Sequence, residues 1–348
     1  MTETPWWNRD RHADRRPLLL ARNRIRRAIS GWLDAQDFIE VDPAALQISP
    51  GNETHLHGFA TRAIGNDGVP HPMYLNTSPE FAMKKLLAAG EQRIYAFAHV
   101  WRNRERGALH SPEFTMLEWY RVGEDYTRLM ADMQEMVGLA ARAANVTRLR
   151  FRGAECDPFA PFERLSVAEA FHRHAGIDLL ATCHGAETDA DALRAMARAA
   201  GLRMGDDDSW SFMLSKILVE KVEPHLGHGR LTVLDRYPAA EAALARPAPD
   251  DPRVAERFEV YACGVELANG FGELTDAAEQ RRRFRAEMDE KEAIYGERYP
   301  LDEDFLAALS QMPAASGIAM GFDRLVMLAT SAPRIDDILW TPVADPSA

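Results

Sequence analysis

The run from Arg257 to Leu274, RFEVYACGVELANGFGEL, constrains the chain more than any other stretch of its length. It sets Glu259, Glu266 and Glu273 at equal intervals. On a helix that spacing would give a solvated acidic stripe. Glycines at 264, 270 and 272, with Val, Tyr and Phe between them, favour strands instead. A hairpin turning around Ala262–Gly264 places Glu259 and Glu266 opposite or nearly opposite each other. Like charges facing across a ladder are destabilising, unless a cation lies between them or one carboxyl keeps its proton. Magnesium takes one or two carboxylates together with phosphate oxygens. The pair therefore reads either as a metal–nucleotide site or as an exposed hairpin with solvated acids.

A second strand pair precedes it. RIYAFAHVWRN and FTMLEWYRV alternate as strands do, and the polar span RERGALHSPE connects them. Between Leu18 and Gln36 apolar residues recur at helical spacing, and the strand-like FIEV then stops at Asp42-Pro43. MYLNTSPE reads as a strand entering a loop, and FAMKKLLAAG as a short helix with a glycine stop. Helix returns over 127–145. The alanine-rich middle, about 160–250, reads as mostly helical, with the aspartates at 206–208 in a solvated turn. A charged helix follows at 276–295 and an apolar strand–helix pair at 316–330. Interleaving without a regular βαβ period favours an α+β fold, an antiparallel sheet flanked by helices, over a doubly wound one. Neither GxGxxG nor GxxxxGK[ST] occurs. Residues 1–17 read as a polar, loosely held arm, and 18–348 as one domain.

Hydrophobic residues make up 46% of the 348, enough for a sizeable core, and the formal net charge is -12. That charge weighs against a general nucleic-acid binder. Cys156, Cys183 and Cys263 show no metal-ligand spacing and are expected as reduced thiols. The N-terminus is too charged for a secretory signal, and no apolar run approaches spanning length. The expectation is a cytoplasmic protein with no membrane partner.

Arg102 closes the strand that begins at Arg93, and Arg324 follows the glycine-spaced run Gly317–Gly321. Guanidinium groups suit phosphate because they form two parallel hydrogen bonds and keep their charge. Together with the paired glutamates these residues resemble the class II aminoacyl-tRNA synthetases, in particular the lysyl branch. The helix and strand ending at Pro43 resemble the first class signature, which in that family builds a homodimer interface. Arg102 through Glu118 with PEFTMLEWY resembles the second, and GIAMGFDRL at 317–325 the third. TSPE at 77–80 and ELANGFGEL at 266–274 are lysyl-type features.

The resemblance implies a role for each matching position. Arg102 would hold the α-phosphate of ATP and Arg324 the γ-phosphate, with His110 and Ser111 in the connecting loop. Phe114 would stack on adenine, with Leu267 and Gly321 lining the nucleotide, and Glu259 and Glu266 would hold Mg2+. Ser78, Pro79 and Glu80 would receive the α-amino end of the amino acid, with Glu118 and Asn269 nearby. Glu273 and Tyr120 would read a distal ammonium. Independently, a buried carboxylate with a phenol selects a long cationic side chain. The second signature usually reads Arg-x-Glu; here it is Arg102-Asn103-Arg104, with Glu105 next in line.

In the lysyl enzymes an anticodon-reading barrel of about a domain's length precedes the catalytic core. Here some seventeen residues precede the first core helix, so tRNA is not the expected acceptor. A lysyl-type core without that barrel resembles the elongation factor P lysine ligases. These form an adenylate of lysine or β-lysine and pass it to a lysine side chain of elongation factor P. Ala319, where tRNA-charging relatives carry glycine, fits the same family. A stand-alone tRNA-charging core and an inactive regulatory paralogue remain the alternatives.

Overall fold

The computed structural model describes residues 4–345. Its centre is an eight-stranded sheet. The strands are β1 (Ile39–Glu40), β2 (Arg93–Trp101), β3 (Glu113–Val122), β4 (Glu163–Ser166), β5 (Thr232–Asp235), β6 (Arg257–Ala262), β7 (Val265–Gly272) and β8 (Ala315–Gly321). Their order is β1-β2-β3-β8-β7-β6-β5-β4. All pairings from β2 across to β5 are antiparallel, and only the two end strands join in parallel. The α+β expectation holds, as do both hairpins. The mostly helical reading of 160–250 does not: β4 and β5 lie within it and complete the sheet. All four residues of β5 are buried, so this strand shows no alternation for a sequence reading to find.

One face of the sheet packs on helices α1 (Arg9–Asp34), α3 (Thr127–Ala144) and α9 (Phe322–Thr330). Leu117 and Trp119 of β3, Ile318 and Met320 of β8, Ala268 of β7 and Phe258 and Val260 of β6 join their core. Strand alternation sends Phe114, Met116, Asn269, Ala319, Gly321, Arg257 and Glu259 to the other face. Part of that face is covered by α2 (Glu80–Ala88), α7 (Ala277–Tyr295) and α8 (Glu303–Leu309), with Phe81, Phe284 and Phe305 packed together. The rest is left open as a cavity. Helices α4 (Val167–Ala175), α5 (Ala190–Ala199) and α6 (Trp210–Ile217) build a satellite core around Phe171, Met213 and Trp210.

Helix α1 begins at Arg9, nine residues before the expected start, and takes in Pro17. Asn8 caps it, its Oδ1 accepting from the amides of Asp10 and Arg11 at 3.0 and 3.3 Å. The polar stretch is therefore no loose arm. Arg15 is buried and donates to the carbonyls of Asp336 (2.9 Å) and Leu339, which pins the helix to the C-terminal segment. Trp7, just before the cap, is exposed and contributes little to this anchoring. Two turns further, Arg22 pairs with Asp323 at 2.8 Å and donates to Thr115 Oγ1 at 2.8 Å. Asp323 Oδ2 accepts from the Thr115 amide at 2.7 Å, so α1, β3 and α9 meet at one buried ion pair.

The β6–β7 hairpin turns through Cys263 and Gly264, both with positive φ, as a two-residue hairpin loop requires. Its register then shifts between Val260 and Tyr261, so that Tyr261 faces Glu266 while Val260 faces Ala268. Leu267 is the extra residue of this bulge. An unbroken strand would send Glu266 and Asn269, three apart, to opposite faces. The bulge brings both onto the open face beside Glu259. Glu266 is thus a diagonal neighbour of Glu259, whose direct partner is Asn269.

Candidate active site

The open face of the sheet floors a cavity of 540 Å³. The sequence-predicted residues Ser78, Glu80, Arg102, Glu105, His110, Ser111, Phe114, Glu259, Glu266, Leu267, Asn269, Ala319, Gly321 and Arg324 all line it. Segments far apart in the chain converge here because β3, β8, β7 and β6 are neighbours in the sheet.

At one end the cationic and acidic groups interlock. Arg324 donates through Nη1 to the Glu266 carbonyl at 3.0 Å and stands 3.5 Å from its carboxylate. Its Nη2 lies 2.7 Å from His110 Nε2. Burial first, and then the Arg324 charge, lower the His110 pKa, so the neutral ring accepts at Nε2. The Arg102 guanidinium sits 5.4 Å from the centre of the Phe114 ring and its Nε faces the Thr77 carbonyl at 3.4 Å. Glu259 is buried, paired with Arg257 at 2.7 Å and hydrogen-bonded by the Tyr261 hydroxyl at 2.6 Å. Burial, followed by the neighbouring Glu266, pushes its pKa up. A buried carboxylate whose proton affinity is raised by a second carboxylate beside it fits a divalent cation held with phosphate oxygens. Among the described residues no group of three or more His, Cys, Asp or Glu side chains is placed to hold a metal by itself.

The other end is acidic and closed. Ser78 Oγ donates to Glu118 Oε2 at 2.7 Å, and the Tyr120 hydroxyl donates to Glu118 Oε1. Burial, reinforced by Glu80, raises the Glu118 pKa to about 8. Glu273 is likewise raised to about 7 by burial, which outweighs the opposing pull of Lys84. Lys84 is the group that the sequence reading missed. Only 1% exposed, its Nζ lies 2.5 Å from Glu80 Oε1 and 2.6 Å from Glu273 Oε2. Burial disfavours its charge, yet the two carboxylates prevail and raise its pKa. The signal was present, since Glu80 and Lys84 are four apart at the start of α2. What the spacing cannot show is that Glu273, from the far end of the β7 region, completes the pair.

Several expected site residues stand off the cavity wall. Glu118, Tyr120 and Glu273 do not line the cavity; they are buried behind its wall, and Glu273 already holds the chain's own ammonium. Gly317 makes room for them. A Cβ there would come within 2.2 Å of the Tyr120 ring and 2.3 Å of Glu273 Oε1. Pro79 is off the wall as well, standing at the N-cap of α2. Asn103 and Arg104 also leave the cavity. Arg104 has a φ of 66°, and this left-handed turn aims its side chain outward to an ion pair with Glu297 and to Tyr295, 5.7 Å from the ring centre. The Asn103 side chain accepts from the Arg104 amide at 2.9 Å. Glu105, the next acid, stays on the wall. The three cysteines are free and buried away from the site.

With this geometry the chain can be compared with known proteins. The model of the class II tRNA synthetases (D, K and N) matches residues 5–344. The chain belongs to that family. It is 40% identical over 326 residues to the elongation factor P--(R)-beta-lysine ligase of Edwardsiella ictaluri, covering 92% of this chain and 93% of the relative. The protein of the same name from Sodalis glossinidius is 39% identical over 323 residues, with coverages of 92% and 93%. That of Klebsiella pneumoniae strain 342 is 37% identical over 345 residues, covering 97% and 98%.

The Lys84 site makes a stability prediction. A carboxyl whose pKa is raised on folding stabilises most below its ordinary value, and that contribution is lost as pH rises through the raised one. Removing Lys84 takes away the cation that makes ionised Glu273 tolerable. Lys84→Met should therefore cost about 3–5 kcal/mol near pH 8, where the acids are ionised, and clearly less near pH 5. Urea denaturation at both values measures this. A loss that does not change with pH would contradict the charge assignment.

Proposed function

We propose that this chain activates lysine or (R)-β-lysine with ATP and transfers it to a lysine side chain of elongation factor P. The observation that carries the reading is a single cavity with Arg102, Arg324 and the Glu259–Glu266 pair at one end and a closed acidic end at the other. The names of the relatives support the choice of amino acid and acceptor.

In the first step the amino-acid carboxylate attacks the α-phosphorus of ATP. One P–O bond forms, and the bond to pyrophosphate breaks. Arg102 stabilises charge at the α-phosphate and Arg324 at the γ-phosphate, so positioning and electrostatics carry the chemistry. Glu259 and Glu266 would hold Mg2+, which supplies positive charge to the phosphates. Phe114 offers its ring to adenine. In the second step the acceptor amine attacks the carbonyl carbon of the adenylate; a C–N bond forms, AMP leaves with the C–O electrons, and the amine gives up a proton. Ala319 adds a methyl to the cavity floor beside Asn269. The acidic end suits a substrate with two ammonium groups, because a neutral analogue leaves buried charge unpaired.

The formal net charge of -12 speaks against tRNA as the acceptor and for a basic protein surface. No helix among the described residues is long and apolar enough to cross a membrane, and we place the activity in the cytoplasm with the translation machinery. We also propose a homodimer. The end strand β1 carries Ile39, and the short strand Leu46–Gln47 and the residue after it carry Leu46 and Ile48, all of them exposed and apolar. A second copy would cover them.

Two measurements test these readings. Incubation with ATP, β-lysine and unmodified elongation factor P should add the mass of one acyl group to the factor. Charged tRNA beside an unchanged factor would overturn the acceptor. Light scattering should return twice the 39.0 kDa chain mass, and the mass of one chain would exclude the dimer.

A further inference from the structure

Four carboxylates gather at the acidic end, and three have partners within the protein. Glu80 and Glu273 share Lys84, and Glu118 takes the hydroxyls of Ser78 and Tyr120. Glu53 is the fourth. It lines the cavity, and its Oε2 is buried with no hydrogen-bond partner. Burial, and then Glu80, raise its pKa to about 7, while its own backbone amide and the charge of Arg102 offset only part of this. Leaving a carboxylate desolvated and unpartnered is costly, and a fold retains it where a ligand supplies the missing donor.

The backbone is built around this group. Gly51 has a φ of 115°, outside the range of ordinary residues. A Cβ on Gly51 would also fall 2.6 Å from Glu53 Oε2 and 3.3 Å from Thr77 Oγ1. Thr77 in turn presents its carbonyl to Arg102. Glu53 thus stands at the Arg102 side of the acidic end, where the reacting carboxyl of an amino acid must lie.

We propose that Glu53 is a further specificity-determining residue, whose carboxylate receives the substrate ammonium nearest the reacting carboxyl. This rests on the reading of the site as one that activates a lysine-like amino acid, and adds to it a residue outside the class signatures. Glu80 and Glu118, tied to internal donors, then act chiefly as the walls that hold Lys84 and Ser78 in place.

Glu53→Gln is nearly isosteric and removes only the charge. It is tested in the full chain by pyrophosphate exchange with lysine and with β-lysine, alongside inhibition by 6-aminohexanoate, which keeps the carboxyl and distal ammonium but lacks the near one. The variant should raise KM for both diamines at least about tenfold, leave KM for ATP within about twofold, and leave 6-aminohexanoate inhibition unchanged. An unchanged KM for the diamines overturns the inference. So does an equal weakening of diamines, ATP and 6-aminohexanoate, which would make Glu53 part of the scaffold. If the wild-type chain exchanges with neither diamine, the activation reading itself fails and the inference falls with it.

Discussion

The closed end of the cavity depends on one buried ammonium. Lys84 lies between Glu80 and Glu273, and its charge opposes the burial that pushes Glu273 toward its protonated form. Burying a charge costs several kcal/mol unless a partner and further hydrogen bonds offset it, roughly the margin by which a domain is stable at all. The rest of this region follows from that constraint. Helix α2 must present Lys84 inward, the chain after β7 must bring Glu273 within 2.6 Å of it, and position 317 must stay glycine so that Tyr120 and Glu273 have space. One ammonium does not balance four carboxylates. Glu118 and Glu53 are left with raised proton affinities, at about 8 and about 7, and the pocket is poised to take up more positive charge.

The opposite end uses a different device, a register shift rather than an ion pair. Strand alternation alone cannot put Glu266 and Asn269 on one face, and the bulge at Leu267 does so. The Glu266 carbonyl, beyond the end of the β7–β8 pairing, accepts from Arg324. The two ends share one sheet, held on its far side by the Arg22–Asp323 pair that joins α1 to α9. A phosphate-facing end and an ammonium-facing end are therefore fixed relative to each other by strands, which makes their separation a property of the fold.

Much of this was legible in the sequence. The hairpins at 93–122 and 257–272 declared themselves by alternation and glycine, and nearly all of the phosphate-end residues were named because they belong to contiguous signatures. Four features stayed hidden. Strand β5 is buried on both faces and carries no period to read. The polar start of α1 read as a loose arm because its anchor, Arg15, is a charged residue whose partners are backbone carbonyls more than three hundred positions away. The acidic end was legible only in part, because the pairing of Lys84 with Glu273 crosses from α2 to the end of β7. Arg104 stands where the second signature has glutamate, and nothing in the sequence shows that a left-handed turn at that position takes it out of the cavity altogether.

The central claim is that the closed end is an acidic pocket whose unbalanced carboxyls hold protons until an ammonium displaces them. Calorimetric titration of lysine or β-lysine near pH 7, in two buffers of different ionisation enthalpy, measures the protons exchanged on binding. The account predicts net proton release, because Glu53 and Glu118 give up protons as the ammonium groups enter. Binding with no buffer dependence, or equal affinity for a neutral analogue of the same length, would contradict it.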